Sequence, residues 1–124
     1  MATDRRPTVL WALFGFDGRI SREVYWLGNF GCAFIAFVAM MPRLDEATGA
    51  IMMAPWAPFI AFPIAWVEVA LAVKRLHDRG FSGFFAFTMF VPFLNLLAAL
   101  IIGVIPGDRG ANRFGPAANA RGPQ

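Results

Sequence analysis

Along the chain, long apolar runs alternate with short charged segments. The first run, Thr-Val-Leu-Trp-Ala-Leu-Phe-Gly-Phe at 8–16, is too short to cross a hydrocarbon layer of about 30 Å at about 1.5 Å per helical residue. Trp11, Phe14 and Phe16 suit a short N-terminal interfacial helix, with packing against a helical bundle as the equal alternative. Asp17-Gly18 predicts a turn. Ser21 then offers an N-cap and Glu23 a first-turn carboxylate to a helix whose stretch over 24–41 carries no charge. Tyr25 and Trp26 stand at its start as interfacial anchors, and Pro42 with Arg43-Leu44-Asp45-Glu46 ends it.

A second span is expected over 51–73. Its Pro55, Pro58 and Pro63 are tolerated where neighbouring helices satisfy the freed carbonyls. Lys74-Arg75-Leu76-His77-Asp78-Arg79-Gly80 closes it, with positive side chains at the helix C-terminus and glycine in the left-handed position beyond; Ser82 opens the next helix. The last apolar run, 81–105, is broken at Val91-Pro92-Phe93-Leu94-Asn95. It reads either as one kinked span or as a hairpin of two short helices.

Charge separates these readings. Lys and Arg number four before the first span, one in the 43–50 loop, three at 74–79 and three after Pro106. A hairpin puts every basic segment except Arg43 on one side, so the positive-inside rule favours it and places both termini in the cytoplasm. The expected fold is thus an all-α membrane protein. It is a small helical bundle of two full spans plus a Pro-broken third apolar segment, with a short N-terminal interfacial helix. Residues 1–116 read as a single integral membrane domain, whose last segment 106–116, dense in turn formers, reads as an ordered loop against the membrane face, and 117–124 read as a disordered tail.

Composition agrees. Of 124 residues, 58% are hydrophobic and 15% charged, against about 25% charged in soluble domains. The net charge of +3 suits anionic headgroups. Cys32 is alone, which excludes a disulfide framework and a thiolate metal cluster. The apolar run continues past Cys32 and starts behind a charged lead, so neither a lipoprotein anchor nor a cleaved signal is expected.

Three segments carry a pattern of their own. They are Phe16-Asp17-Gly18-Arg19-Ile20-Ser21-Arg22 with Tyr25-Trp26, then residues 74–80 with Ser82-Gly83, then Pro106-Gly107 and Gly110 with Asn112-Arg113-Phe114-Gly115-Pro116. In order and spacing they resemble the signatures of the bacterial inner-membrane family known as domain of unknown function 805, over nearly the whole chain. Phe84-Phe85 departs from the tryptophan common there, an aromatic for an aromatic, and Glu68 lies outside the pattern. The resemblance implies a helical bundle in the inner membrane and no particular activity.

In the expected topology Arg19, Arg22, Lys74, Arg75, His77, Asp78, Arg79, Asn112 and Arg113 gather at the cytoplasmic rim. Guanidinium groups pair with phosphate or carboxylate through two parallel hydrogen bonds, so such a cluster can bind anionic lipid headgroups. The structural alternative is that Asp17, Glu23, Asp78 and Asp108 take up these cations and pin the helix ends together. Glu68 is the one charge inside the second span, on the face of Arg75, and either snorkels toward that residue or serves an ion path.

His77-Asp78 suggests a general base, but adjacent helical residues point about 100° apart and one does not orient the other. No nucleophile motif, Walker loop or dinucleotide fingerprint accompanies them, and a single histidine makes no typical zinc site. No enzyme activity, metal or cofactor is expected. The basic segments are split by the spans, which argues against nucleic acid as a partner. The expected function is a small scaffold or interaction subunit whose partners are anionic lipids, a second copy or another membrane protein. The alternative is a component of a solute or ion transporter built on Glu68 and the proline-broken helices.

Overall fold

The computed structural model describes residues 6–122. The elements run α1 (Val9–Phe14), α2 (Arg22–Ala39), β1 (Arg43–Leu44), β2 (Ile51–Met52), α3 (Ala57–Asp78), a 3-10 helix (Gly83–Phe90) and α4 (Leu94–Val104). The start of α2 follows its capping residue: Ser21 Oγ accepts from the Val24 N–H at 3.4 Å. Helix α3 is long and apolar enough to cross a membrane by length and composition, and is the one such helix among the described residues.

The second apolar run starts its helix later than its hydropathy predicts. Ile51 and Met52 pair antiparallel with Leu44 and Arg43 instead. Pro55 lies before the helix and Pro58 in its first turn, where a missing N–H breaks no internal bond; only Pro63 is interior. Three prolines in sequence thus amount to one interruption.

The last apolar run turns back on itself. Leu94 N–H donates to the Pro92 carbonyl at 2.8 Å around Phe93, whose φ of 66° makes a γ-turn between the 3-10 helix and α4. The reversal returns residues 105–108 to the end of α3, where Asp108 N–H donates to the Asp78 carbonyl at 2.6 Å. A hairpin is the geometry observed.

Packing uses small residues for close approach. A Cβ on Gly28 would stand 2.6 Å from Leu71, so α2 and α3 meet there, and one on Gly103 would stand 2.9 Å from Tyr25 as α4 presses on α2. Tyr25 is fully buried and donates its hydroxyl to the Ala99 carbonyl at 2.9 Å. Tyr25→Phe is therefore expected to lower stability by about 1 kcal/mol, read from the unfolding midpoint in detergent. Helix α1 packs on α3: Trp11 is buried, and Trp66 Nε1 donates to the Phe14 carbonyl at 3.1 Å.

The outer surface is apolar. Leu27, Phe59 and Phe93 are 76%, 80% and 91% exposed, whereas Arg19 and Lys74 are 0% exposed. That inversion of the water-soluble pattern leaves the helices' flanks needing an apolar solvent. Residues 117–122, read from sequence as part of a disordered tail, lie against the first turn. Ala120 carbonyl accepts from Arg19 N–H at 2.9 Å, Asn119 Oδ1 from Ser21 N–H at 2.8 Å, and Asp17 Oδ2 from Gly122 N–H at 3.3 Å. Residues 1–5, part of the loose polar lead expected at 1–7, and 123–124 of the tail lie outside the described residues.

Candidate functional site: a buried charge cluster and its arginine rim

The end of α3 organises the site. A helix leaves its last carbonyls without internal donors, and here the other two motifs supply many of them. Phe81 N–H donates to Leu76 and Gly80 N–H to His77, both at 3.0 Å, with Gly80 at φ 80°, a Schellman cap on a left-handed glycine as its position predicts. Asn112 Nδ2 adds a second donor to the His77 carbonyl at 2.9 Å, and Ile20 N–H reaches the Lys74 carbonyl at 3.4 Å.

Within this frame Asp78 stands between two guanidinium groups. Arg19 Nε donates to Oδ1 at 2.9 Å and Arg75 Nη1 donates to Oδ2. Asp78 is 3% exposed and Arg75 2%. Two cations and one anion leave an excess positive charge, and main-chain carbonyls surround it. Arg19 donates to Asp108 at 2.8 Å, Gly110 at 2.7 Å and Gly115 at 3.1 Å, all from the third motif. Arg75 donates to the carbonyls of Ile20, at 3.3 Å, and Ile105. Each carbonyl accepting from a charged donor contributes about 1.5–3 kcal/mol in such surroundings.

The neighbouring polar residues are likewise committed. Lys74 Nζ donates to the Gly15 carbonyl and lies 5.7 Å from the Trp11 ring centre. His77 Nδ1 bonds the Gly18 carbonyl at 3.1 Å, and its ring stacks on Phe114 at 3.9 Å and 5°. Asn112 also donates to Asp108 Oδ2 at 2.9 Å.

The nine residues expected at the rim therefore divide. Arg19, Lys74, Arg75, His77 and Asp78 are buried and Asn112 is half-buried, whereas Arg22, Arg79 and Arg113 are exposed at the same end, joined there by Arg109. The buried ones are bonded among themselves and to main chain, so the exposed arginines are the ones placed to meet a ligand. Of the expected acidic partners, Asp78 pairs with arginine, while Asp108 accepts from Asn112 and Asp17 from the tail. Arg75 does not reach back toward Glu68. It is held by Asp78 and two carbonyls, and Glu68, half-buried, forms no ion pair or hydrogen bond among the described residues.

Gly107 and Phe114 were named in the third motif but not among the candidate site residues. Gly107 abuts Asp78, whose Cγ would stand 2.6 Å from an added Cβ; its signal was a glycine after Pro106 in a turn-rich segment. Phe114, stacked on His77, was legible as a motif residue but not as the ring partner of the histidine.

All three motifs thus form one interlocked unit, and comparison with known proteins matches that unit. The model of the family described as Protein of unknown function (DUF805) covers residues 13–116. The chain belongs to this family. It is 31% identical to the Inner membrane protein YhaI of Escherichia coli K12, covering 87% of this chain and 89% of that one. It is 31% identical to the Uncharacterized protein YiiR of the same strain, covering 83% and 85%, and 30% identical to its Inner membrane protein YhaH, covering 82% and 85%. No solved structure matches the chain.

Proposed function

We infer that this DUF805 chain is a multi-pass scaffold of the bacterial inner membrane whose exposed arginine rim holds anionic lipid headgroups on the cytoplasmic face. In this reading α2 and α3 both cross the bilayer, α1 lies at the interface, and the hairpin of the 3-10 helix and α4 dips in from the cytoplasmic side. One observation carries it: the three motifs bury their charges in one another at one end of the helices, which leaves Arg22, Arg79, Arg109 and Arg113 exposed around that end. The inner-membrane names of YhaI and YhaH support the location. Basic residues beside a cytoplasmic leaflet gain about 1 kcal/mol each from its negative potential.

Two measurements test this. Paired reporters active only inside or only outside the cell, fused after Gln124 and within the 43–50 loop, should report an interior terminus and an exterior loop. An exterior terminus would sink the arrangement. Second, replacing Arg22, Arg79, Arg109 and Arg113 together by alanine should reduce co-purified anionic phospholipid several-fold without lowering the unfolding temperature. Unchanged lipid retention would reject the headgroup role.

The ion-path alternative gains nothing from the cavities. A cavity of about 820 Å³ is lined by apolar side chains apart from Thr8 and Asn119, and Glu68 is not in its wall. The proposed role is not catalytic and uses no cofactor.

A further inference from the structure

Between α3 and the 3-10 helix lies a groove of about 430 Å³ that the ion pairs leave unused. Phe16, Phe84, Phe87, Phe90 and Phe114 supply five of its walls and His77 a sixth. The 820 Å³ cavity, by contrast, is walled mainly by aliphatic side chains. Phe84, Phe87 and Phe90 are 76%, 65% and 63% exposed, so the groove opens sideways, where apolar compounds would reach it from a bilayer.

His77 is held at the inner end by its stack on Phe114 and its bond to Gly18. A carbonyl only accepts, so the hydrogen of that bond sits on Nδ1 and the neutral ring keeps a lone pair on Nε2. His77 is 9% exposed, yet Nε2 has no hydrogen-bond partner among the described residues. It faces Gly83, where an added Cβ would stand 3.3 Å from Nε2 and 2.9 Å from Val73 Cγ1, so the glycine keeps this end of the groove open. Ser82 lines the same end; its Oγ accepts from Phe84 N–H at 3.3 Å, which leaves its own hydrogen to donate.

We propose that this groove binds a lipid-soluble ring compound bearing a hydroxyl, of the phenol or hydroquinone class, with the ring among the phenylalanines and the O–H donating to His77 Nε2. Flat rings match aromatic walls through offset and edge contacts. A plain alkyl chain would leave the imidazole acceptor unpaired, and a carboxylate has no hydrogen to give it. Organic cations are disfavoured by Lys74, the residue three before His77 on α3, and by Arg113, whose guanidinium lies 4.6 Å from the Phe114 ring centre. The groove borders the arginine rim at Arg113, but the hydrogen bond proposed here uses none of the rim arginines.

The test compares 4-octylphenol with its methyl ether, 4-octylanisole, on the purified full-length chain in detergent by calorimetry. The phenol should bind on the order of tenfold tighter, the worth of one buried hydrogen bond. His77→Asn keeps an N–H for Gly18 but deletes the Nε2 acceptor, and should bind the two compounds alike. Gly83→Ala should weaken both. Equal affinities in the wild type, no saturable phenol binding, or a phenol preference that survives His77→Asn would overturn the proposal. If a variant fails to fold, the wild-type pair of compounds still decides it.

Discussion

Asp78→Ala is expected to destabilise the chain by about 3–5 kcal/mol, enough to abolish a folded population in mild detergent. The reason is the asymmetry of buried charge. Arg19 and Arg75 are 0% and 2% exposed, and removing their shared carboxylate leaves two guanidinium groups close together with neither water nor a counter-ion. Breaking such a cluster from one side costs far more than the cluster gains over apolar residues. Unfolding followed by tryptophan fluorescence in detergent gives the magnitude. A loss below 1 kcal/mol would mean that the cluster is hydrated and the helix ends are joined by something else.

The same cluster explains why apolar replacement should not rescue it. In many buried ion pairs a full exchange for hydrophobic residues is neutral or better. Here Arg19 and Arg75 also serve the carbonyls of Asp108, Gly110, Gly115, Ile20 and Ile105. Exchanging all three side chains for methionine and leucine would orphan these acceptors except Gly115, which keeps the Asn112 N–H, and each buried one costs about 1–3 kcal/mol. The arginines act as donors to a folded-back loop as much as partners of Asp78.

That dual role marks the limit of what the sequence revealed. Local rules placed Ser21 as an N-cap, Gly80 in the left-handed region and Ser82 at the next helix start, because each depends on a few adjacent residues, whereas the reversal near Pro92 was chosen over a kinked span only by the distribution of Lys and Arg along the chain. Helix limits failed where tertiary pairing intervened: Ile51 and Met52 are apolar enough for a span but pair with Leu44 and Arg43. At the site, the motif residues were recognisable, and so was their convergence, through the distribution of positive charge. Which arginines turn inward was not. Arg19 and Arg22 share one motif, yet Arg19 is buried and Arg22 exposed. The difference lies in carbonyls about ninety residues away in the chain. Tail residues such as Asn119 looked unstructured because their partners are main-chain N–H groups near the other end of the sequence.

Gly107→Ala is the second large effect expected, about 3 kcal/mol. The third motif seats its chain directly on Asp78, and an added Cβ would stand 2.6 Å from Asp78 Cγ. Most side chains could swing away from one methyl group. This carboxylate cannot, because Arg19 holds one oxygen and Arg75 the other. The strain must instead move the loop, which separates Asp108 N–H from the Asp78 carbonyl and draws the Asp108 and Gly110 carbonyls off Arg19. Gly110 is the internal control: it lies in the same loop, its φ is not positive, and a Cβ there meets nothing within 4 Å. Gly110→Ala should therefore change stability by no more than about 0.5 kcal/mol. Matched unfolding curves of the two variants isolate the close approach from any general effect of replacing a loop glycine. Equal effects would show that the loop does not rest on Asp78, and the interlocking of the three motifs would fail with it.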